Sequence, residues 1–425
     1  MGFFNRYKKI FALVGFIAFV GLMGYLLFST FFKSGEPVGT VGGQNQTNGT
    51  GQNQTGGLPN TSTGSIGGNV INNNGNSRLP GGEENTGQNQ GQNQNNQGQA
   101  YIEPKNNAIE ITQKEAFSPT LGTNGSVQYY NKEDGKFYKI DKNGNFTLLS
   151  DKTFYNVDKI TWSPNKNEVV LEYPDGANTV YNFETKKQVT LPNHWQDFGF
   201  SPKGDQLVFK SMGMDPDNQW LAITNTDGSR QRKIESIAGD GSKIYDAWSP
   251  NNQMIAMYAQ GVDFDRQEVF FVGQNKENFK SMIVEGRDFQ PKWSPSGDKL
   301  LYSAYSSKSN MKPSLWIANA KGDAIGTGRK SIGLETWAEK CTFKDATKVY
   351  CAVPEKLDEG AGLFPEMAQN TKDKLYEIDL NTGSKSVVST PEGGYNMSNL
   401  IISDDGKSVF FTDANSKKLY KVNIK

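Results

Sequence analysis

The sequence predicts an all-β fold, a seven-bladed β-propeller, carried behind an N-terminal transmembrane helix and a disordered linker. Three observations carry the propeller. A short aromatic-Ser-Pro motif recurs at blade-like intervals, no sustained helical periodicity runs through residues 101–425, and the final repeat lacks one strand that a run ahead of the first repeat can supply.

The clear motif copies are Trp162-Ser163-Pro164, Phe200-Ser201-Pro202, Trp248-Ser249-Pro250 and Trp293-Ser294-Pro295. Weaker copies stand at Phe117-Ser118-Pro119, Cys341-Thr342-Phe343 and Ile402-Ser403-Asp404. Counted from the third residue of each, the intervals are 45, 38, 48, 45, 48 and 61 residues, the period of a four-stranded blade. Seven copies imply seven blades, and the degenerate sixth repeat leaves six or eight as alternatives.

Within a repeat the motif leads through a polar turn into an apolar run, as in Gly204-Asp205 before Leu207-Val208-Phe209. A third strand follows, such as Val269-Phe270-Phe271-Val272, and a glycine turn such as Asp227-Gly228 leads to the outer strand. The seventh repeat supplies three strands, around Leu400, Val409 and Tyr420. Ala108-Ile109-Glu110-Ile111-Thr112, ahead of the first motif, is expected to complete that blade and to leave only short, protected edges.

The Trp-Ser-Pro-x-Gly-Asp-x-Leu pattern, best formed from Trp293 to Leu300 and from Phe200 to Leu207, resembles the repeat of TolB-type (WD40-like) β-propellers. The resemblance spans Ala108 to Lys425, strong in four repeats and degenerate in the first, sixth and seventh. It implies an extracytoplasmic protein-binding platform. Members of that family share no single catalytic set, so the resemblance brings no active-site residue with it.

Ahead of the propeller domain, residues 101–425, the chain divides into three parts. Residues 10–32 carry no charge and are rich in Phe, Leu, Val and Ile; as a helix they span about 35 Å, enough to cross a bilayer. A cleavable signal peptide is the rival, but its apolar core is ordinarily shorter, and no small-x-small cleavage site follows here. Arg6, Lys8 and Lys9 precede the span and only Lys33 follows closely, which places residues 1–9 in the cytoplasm and the bulk of the chain outside. Residues 33–100, dominated by Gly, Asn, Gln, Ser and Thr and free of aromatics, are expected to be a disordered tether with an r.m.s. span of about 45 Å.

The 425 residues hold 45 basic and 45 acidic side chains, one histidine and two cysteines. Neutrality argues against capture of nucleic acid, and one histidine with two cysteines is too few for the common zinc sites. No metal and no cofactor is expected. Cys341 and Cys351 flank a turn at Asp345-Ala346-Thr347 symmetrically, so antiparallel strands would set them face to face as a disulfide, with two small buried thiols as the alternative.

Connections that enter the first strand of a blade, and those between its second and third, emerge on one face. Asp215 and Asp217, Asp263 and Asp265, and a long insertion from Pro354 to Asp373 fall there. The paired aspartates could hold Ca²⁺; solvated loop carboxylates are the plainer reading. Five rings, His194, Trp195, Tyr245, Phe289 and Trp337, precede their motifs by a few residues and are candidates for a ligand-binding cluster at the channel mouth, against packing between blades as the ordinary role of buried aromatics. The expected function is a non-enzymatic, membrane-tethered scaffold that binds an envelope protein or peptide. A module for glycan or cell-wall polymer is the alternative, with a carboxylate-dependent glycan hydrolase behind it.

Overall fold

In a computed structural model of the chain, residues 22–23, 105–237, 241–275, 277 and 279–424 are described. Apart from Leu22 and Met23, which are helical, the expected transmembrane span 10–32 and the linker 33–100 lie outside them. Among the described residues no helix is long and apolar enough to cross a membrane.

The unit Gln94–Lys425 is built from seven four-stranded antiparallel sheets, the seven blades. Their innermost strands are Phe117–Leu121, Lys159–Trp162, Trp195–Phe200, Ile244–Tyr245, Arg287–Trp293, Cys341–Phe343 and Met397–Ile402. In six blades the chain then steps outward strand by strand. The seventh closes the ring: Ile109–Glu110 pairs antiparallel with Leu419–Asn423, Ile109 opposite Lys421, as the missing outer strand.

Seven apolar clusters fill the gaps, each shared by two neighbouring blades. Phe289, Leu300 and Tyr302 meet Met254, Val269 and Val284 between blades 4 and 5, and Val127, Tyr129 and Ile140 meet Leu419 between blades 1 and 7. Because the second strand of a blade is covered on both sheet faces, it reads as a continuous apolar run, as in Lys299–Tyr305, whose five central residues are all buried. Burying a large apolar side chain there, such as Leu300 or Leu301, contributes about 1.5–3 kcal/mol.

The repeated motif proves to be the inner end of this packing. The hydroxyl of Ser163, Ser201, Ser294 and Ser403 accepts the backbone N–H five residues on, at 3.0–3.1 Å. Trp293 Nε1 donates to the carbonyl of Ala247 at 2.9 Å and Trp162 Nε1 to that of Ser118 at 2.9 Å, each tying its blade to the one before. Gly297 turns with φ 66°, and a β-carbon there would lie 2.7 Å from the backbone nitrogen of Asn251 in the neighbouring turn.

Two weak copies are out of register with this role. In blade 1, Phe117 opens the inner strand instead of ending it, and the turn bond runs from Gly122 N to Ser126 O, so Leu121-Gly122 occupies the motif position. In blade 6 the corresponding bond runs from Lys344 N to Lys348 O, and Asp345 takes over the turn by accepting from Thr347 N and Lys348 N.

Candidate functional site

Alternation brings the start of each inner strand and the loop between strands two and three to one face. Several inner strands are bulged near that end, with left-handed residues at Ser118, Asp197, Asp288 and Asn399 and a register shift around each. These bulges rotate side chains that simple alternation would send elsewhere.

The five candidate rings are not gathered at one mouth. Trp195 is buried with its ring stacked 3.8 Å from Phe209 in the core of blades 2 and 3. Phe289 is fully buried between blades 4 and 5, where the half-buried Tyr245 meets it edge-on at 5.6 Å. Trp337 packs with Leu357, Ala361 and Ala368 beneath the blade 6 insertion. His194 is exposed, 6.4 Å from the ring of Trp195, and the two border a cavity of about 390 Å³ with Trp220 and Arg232.

The loop aspartates are engaged locally. Asp215 caps a short 3₁₀ turn by accepting from Asp217 N at 3.1 Å, with Asp217 exposed on that turn. Asp263 is held by Arg266 at 2.6 Å, and Asp265 accepts from Ser307 N at 2.7 Å on blade 5. Among the described residues no three His, Cys, Asp or Glu side chains gather as metal ligands do. Cys341 and Cys351 occupy directly opposed positions on the first two strands of blade 6, with Cα atoms 4.0 Å apart, and are joined as a buried disulfide.

Two charged networks escape the sequence reading. Across blades 2 to 4, Lys159 pairs with Asp197 at 2.6 Å, Lys210 with Asp197 at 3.0 Å, and Lys210 with Asp246 at 3.5 Å, while Glu172 lies 3.8 Å from Lys159. Two ammonium groups thus face three carboxylates. Only 5% of the Asp246 side chain is exposed, and burial pushes its pKa up to about 7 against the opposing charge of Lys210. Burial also works to raise Asp197, but the hydrogen bond from Lys159 and the charges of both lysines outweigh it and hold the group below its ordinary value. The signal was present in the sequence: Lys159, Asp197 and Asp246 stand two or three residues ahead of a motif aromatic, on or directly after the innermost strand of their blades.

The second network fastens the insertion of blade 6. Lys340 pairs with the buried Asp373 at 2.7 Å and donates to Asn396 Oδ1 at 2.8 Å; the Asn396 amide donates in turn to Ala368 O and Gln369 O at 2.9 Å. On its other flank, Gly360 N and Gly362 N donate to Asn310 O and Met311 O of blade 5. So pinned, the insertion presents Leu363, Phe364 and Met367 to solvent, Phe364 at 52% exposure. Opposite, the blade 4 loop presents Val262 and Phe264, the latter 73% exposed. Between them lies a groove of about 760 Å³ walled by Tyr258, Val262, Phe264, Tyr305, Met311 and Leu363, with Lys243 and Arg287 on its rim. Apolar side chains held outward together on fixed loops are the ordinary mark of an interaction surface.

No family model and no curated relative matches the sequence. Solved structures do. The chain is similar to an oligogalacturonate lyase in complex with manganese (TM-score 0.53, 13% identity, 76% of this chain and 98% of that one). It is also similar to the Cps50 (Swd1) β-propeller domain of Myceliophteria thermophila (TM-score 0.50, 9% identity, 75% and 100%). The tricorn protease aligns at TM-score 0.49 and 12% identity over 76% of this chain and 34% of its own. At identities this low, the first two likenesses establish one thing, that this chain has the fold of a β-propeller.

Proposed function

We propose that the chain is a non-enzymatic, TolB-like scaffold that binds a protein or peptide of the cell envelope on the loop-rich face. The observation that carries this reading is the outward display of Phe264 and Leu363 on the walls of one groove, with Phe364 and Met367 exposed on the same pinned insertion as Leu363. Residues 10–32 anchor the chain in the membrane with residues 1–9 in the cytoplasm, and residues 33–100 tether the propeller outside. A tether of that span lets the groove reach partners well away from the lipid.

Photo-crosslinking in intact cells tests the reading. A photoreactive side chain at Phe364 is expected to give discrete protein adducts, and one at Asp227, in a turn on the opposite face, none. Equal adducts from both positions would sink it.

A second reading rests on a neighbouring cavity of about 680 Å³, whose walls combine Trp316 and Phe264 with Ser306, Ser309, Ser314 and the Asp263–Arg266 pair. Aromatic faces beside neutralised polar groups suit a glycan or cell-wall polymer. Retention of purified chain on envelope polysaccharide, lost in Trp316→Ala, would favour it over the first.

A further inference from the structure

The groove between the blade 4 loop and the blade 6 insertion is lined by apolar side chains together with Lys243, Gln260, Arg287 and Asp263, the carboxylate of Asp263 being paired with Arg266. Resting on the binding reading above, we propose that its ligand is an acidic peptide. An extended segment sets apolar side chains against Phe264, Tyr305 and Leu363 and an Asp or Glu carboxylate against Arg287.

Arg287 opens the inner strand of blade 5 and reaches across to blade 4, where its Nη1 donates to the backbone carbonyl of Asp263 at 2.7 Å. That single bond aims the guanidinium without neutralising it. Two carboxylates beside it in the chain or across the groove are engaged by other groups: Asp263 by Arg266 at 2.6 Å, and Asp288 as acceptor of Gln290 Nε2 at 2.8 Å. Among the described residues Arg287 has no ion-pair partner, so a half-buried cation faces the groove with a planar fork of donors to offer. Gly261 makes this placement feasible, because a β-carbon there would lie 2.6 Å from Nη1. Lys243, exposed, lines the same groove.

Charge complementarity therefore selects an anion, and the apolar walls select one that carries greasy side chains close by. A neutral glycan would leave the guanidinium unmatched. Carboxylate is the natural partner of an arginine fork, and a polypeptide is the polymer that combines it with Leu- or Phe-like groups at residue spacing.

The test uses the full chain in detergent and two pools of fluorescent peptides, all amidated at the C-terminus. One pool holds Leu, Ile or Phe interleaved with Glu or Asp, and the other replaces every acid with Gln or Asn. Fluorescence anisotropy at low salt is expected to show the acidic pool binding about tenfold tighter, a gap that narrows as salt rises. In Arg287→Gln the gap should close while the thermal unfolding curve stays in place. Gly261→Ala, which keeps the charge but displaces it, should narrow the gap as well. Equal binding of the two pools, or a gap that survives Arg287→Gln, overturns the acidic preference and leaves peptide binding standing. Absence of binding by both pools overturns both.

Discussion

The two ends of each inner strand are built to opposite rules. At the motif end, polar groups close on themselves: Ser294 accepts from Lys299 N and bonds Asp298, Asn251 bridges to the next turn through Gly297 O at 2.7 Å, and the tryptophan N–H groups of blades 2 and 5 reach the preceding blade. At the loop-rich end, Asp246 is buried against Lys210 at 3.5 Å, Arg287 among the described residues bonds a backbone carbonyl and no carboxylate, and Phe264 and Phe364 stand in solvent. One end specifies the ring. The other is free to differ between blades, and differences between blades are where recognition can be encoded.

The largest effects on stability should come from groups that join blades. Phe289, fully buried between blades 4 and 5, should cost about 3–5 kcal/mol when replaced by alanine. Ser294→Ala, which strips the Lys299 N–H of its side-chain acceptor at the motif, should cost about 1–3 kcal/mol. Urea midpoints measure both. Losses under about 0.5 kcal/mol, the range of ordinary surface substitutions, would erase the contrast between the ends.

An intermediate effect, and one that depends on pH, is expected from Asp246. Its pKa in the folded chain is about 7, above the ordinary value of 3.8, because burial disfavours the charged form. The folded state therefore binds the proton more tightly than the unfolded one. The associated stability is fully present below 3.8 and is lost as pH rises through about 7. Glu172, also raised by burial against the charge of Lys159, adds to the slope in the same sense. Asp246→Asn, which cannot ionise, should come closest to the parent chain below pH 3.8 and exceed it by a growing margin as pH rises, most at pH 8. Identical pH profiles for the two chains would show that the Lys210 pairing compensates fully for burial.

What was legible in the sequence follows the same division. The blade count, the closure by the strand at Ile109 and the turns of blades 2 to 5 could be read because each rests on a local pattern that recurs. Blades 1 and 6 misled in register, since Phe117-Ser118-Pro119 imitates the motif while sitting on a bulge, and Asp345 replaces the motif serine by a different hydrogen bond. The site was harder. Trp195 and Trp337 stand upstream of their motifs just as a channel-facing ring would, and only the bulge at Asp197 and the cover of the insertion over Trp337 decide that both point into apolar packing. Likewise nothing local marks Leu363 and Phe364 as exposed. That follows from Asn396, more than 25 residues away, bonding Ala368 O and Gln369 O.

The smallest change in stability should accompany the sharpest change in binding. Leu363→Ser with Phe364→Ser alters only exposed side chains, so the unfolding midpoint should move by no more than about 0.5 kcal/mol. Partner adducts from a photoreactive group at Met367 should nevertheless disappear. Asn396→Ala sharpens the point from the other side, because it keeps every apolar group of the insertion but removes the amide that holds Ala368 and Gln369 in place. If display on a fixed loop is what matters, binding should weaken there too, with faster amide exchange confined to the insertion. Were Asn396→Ala to loosen the insertion and leave binding untouched, the apolar residues alone would suffice and the latch would serve the fold.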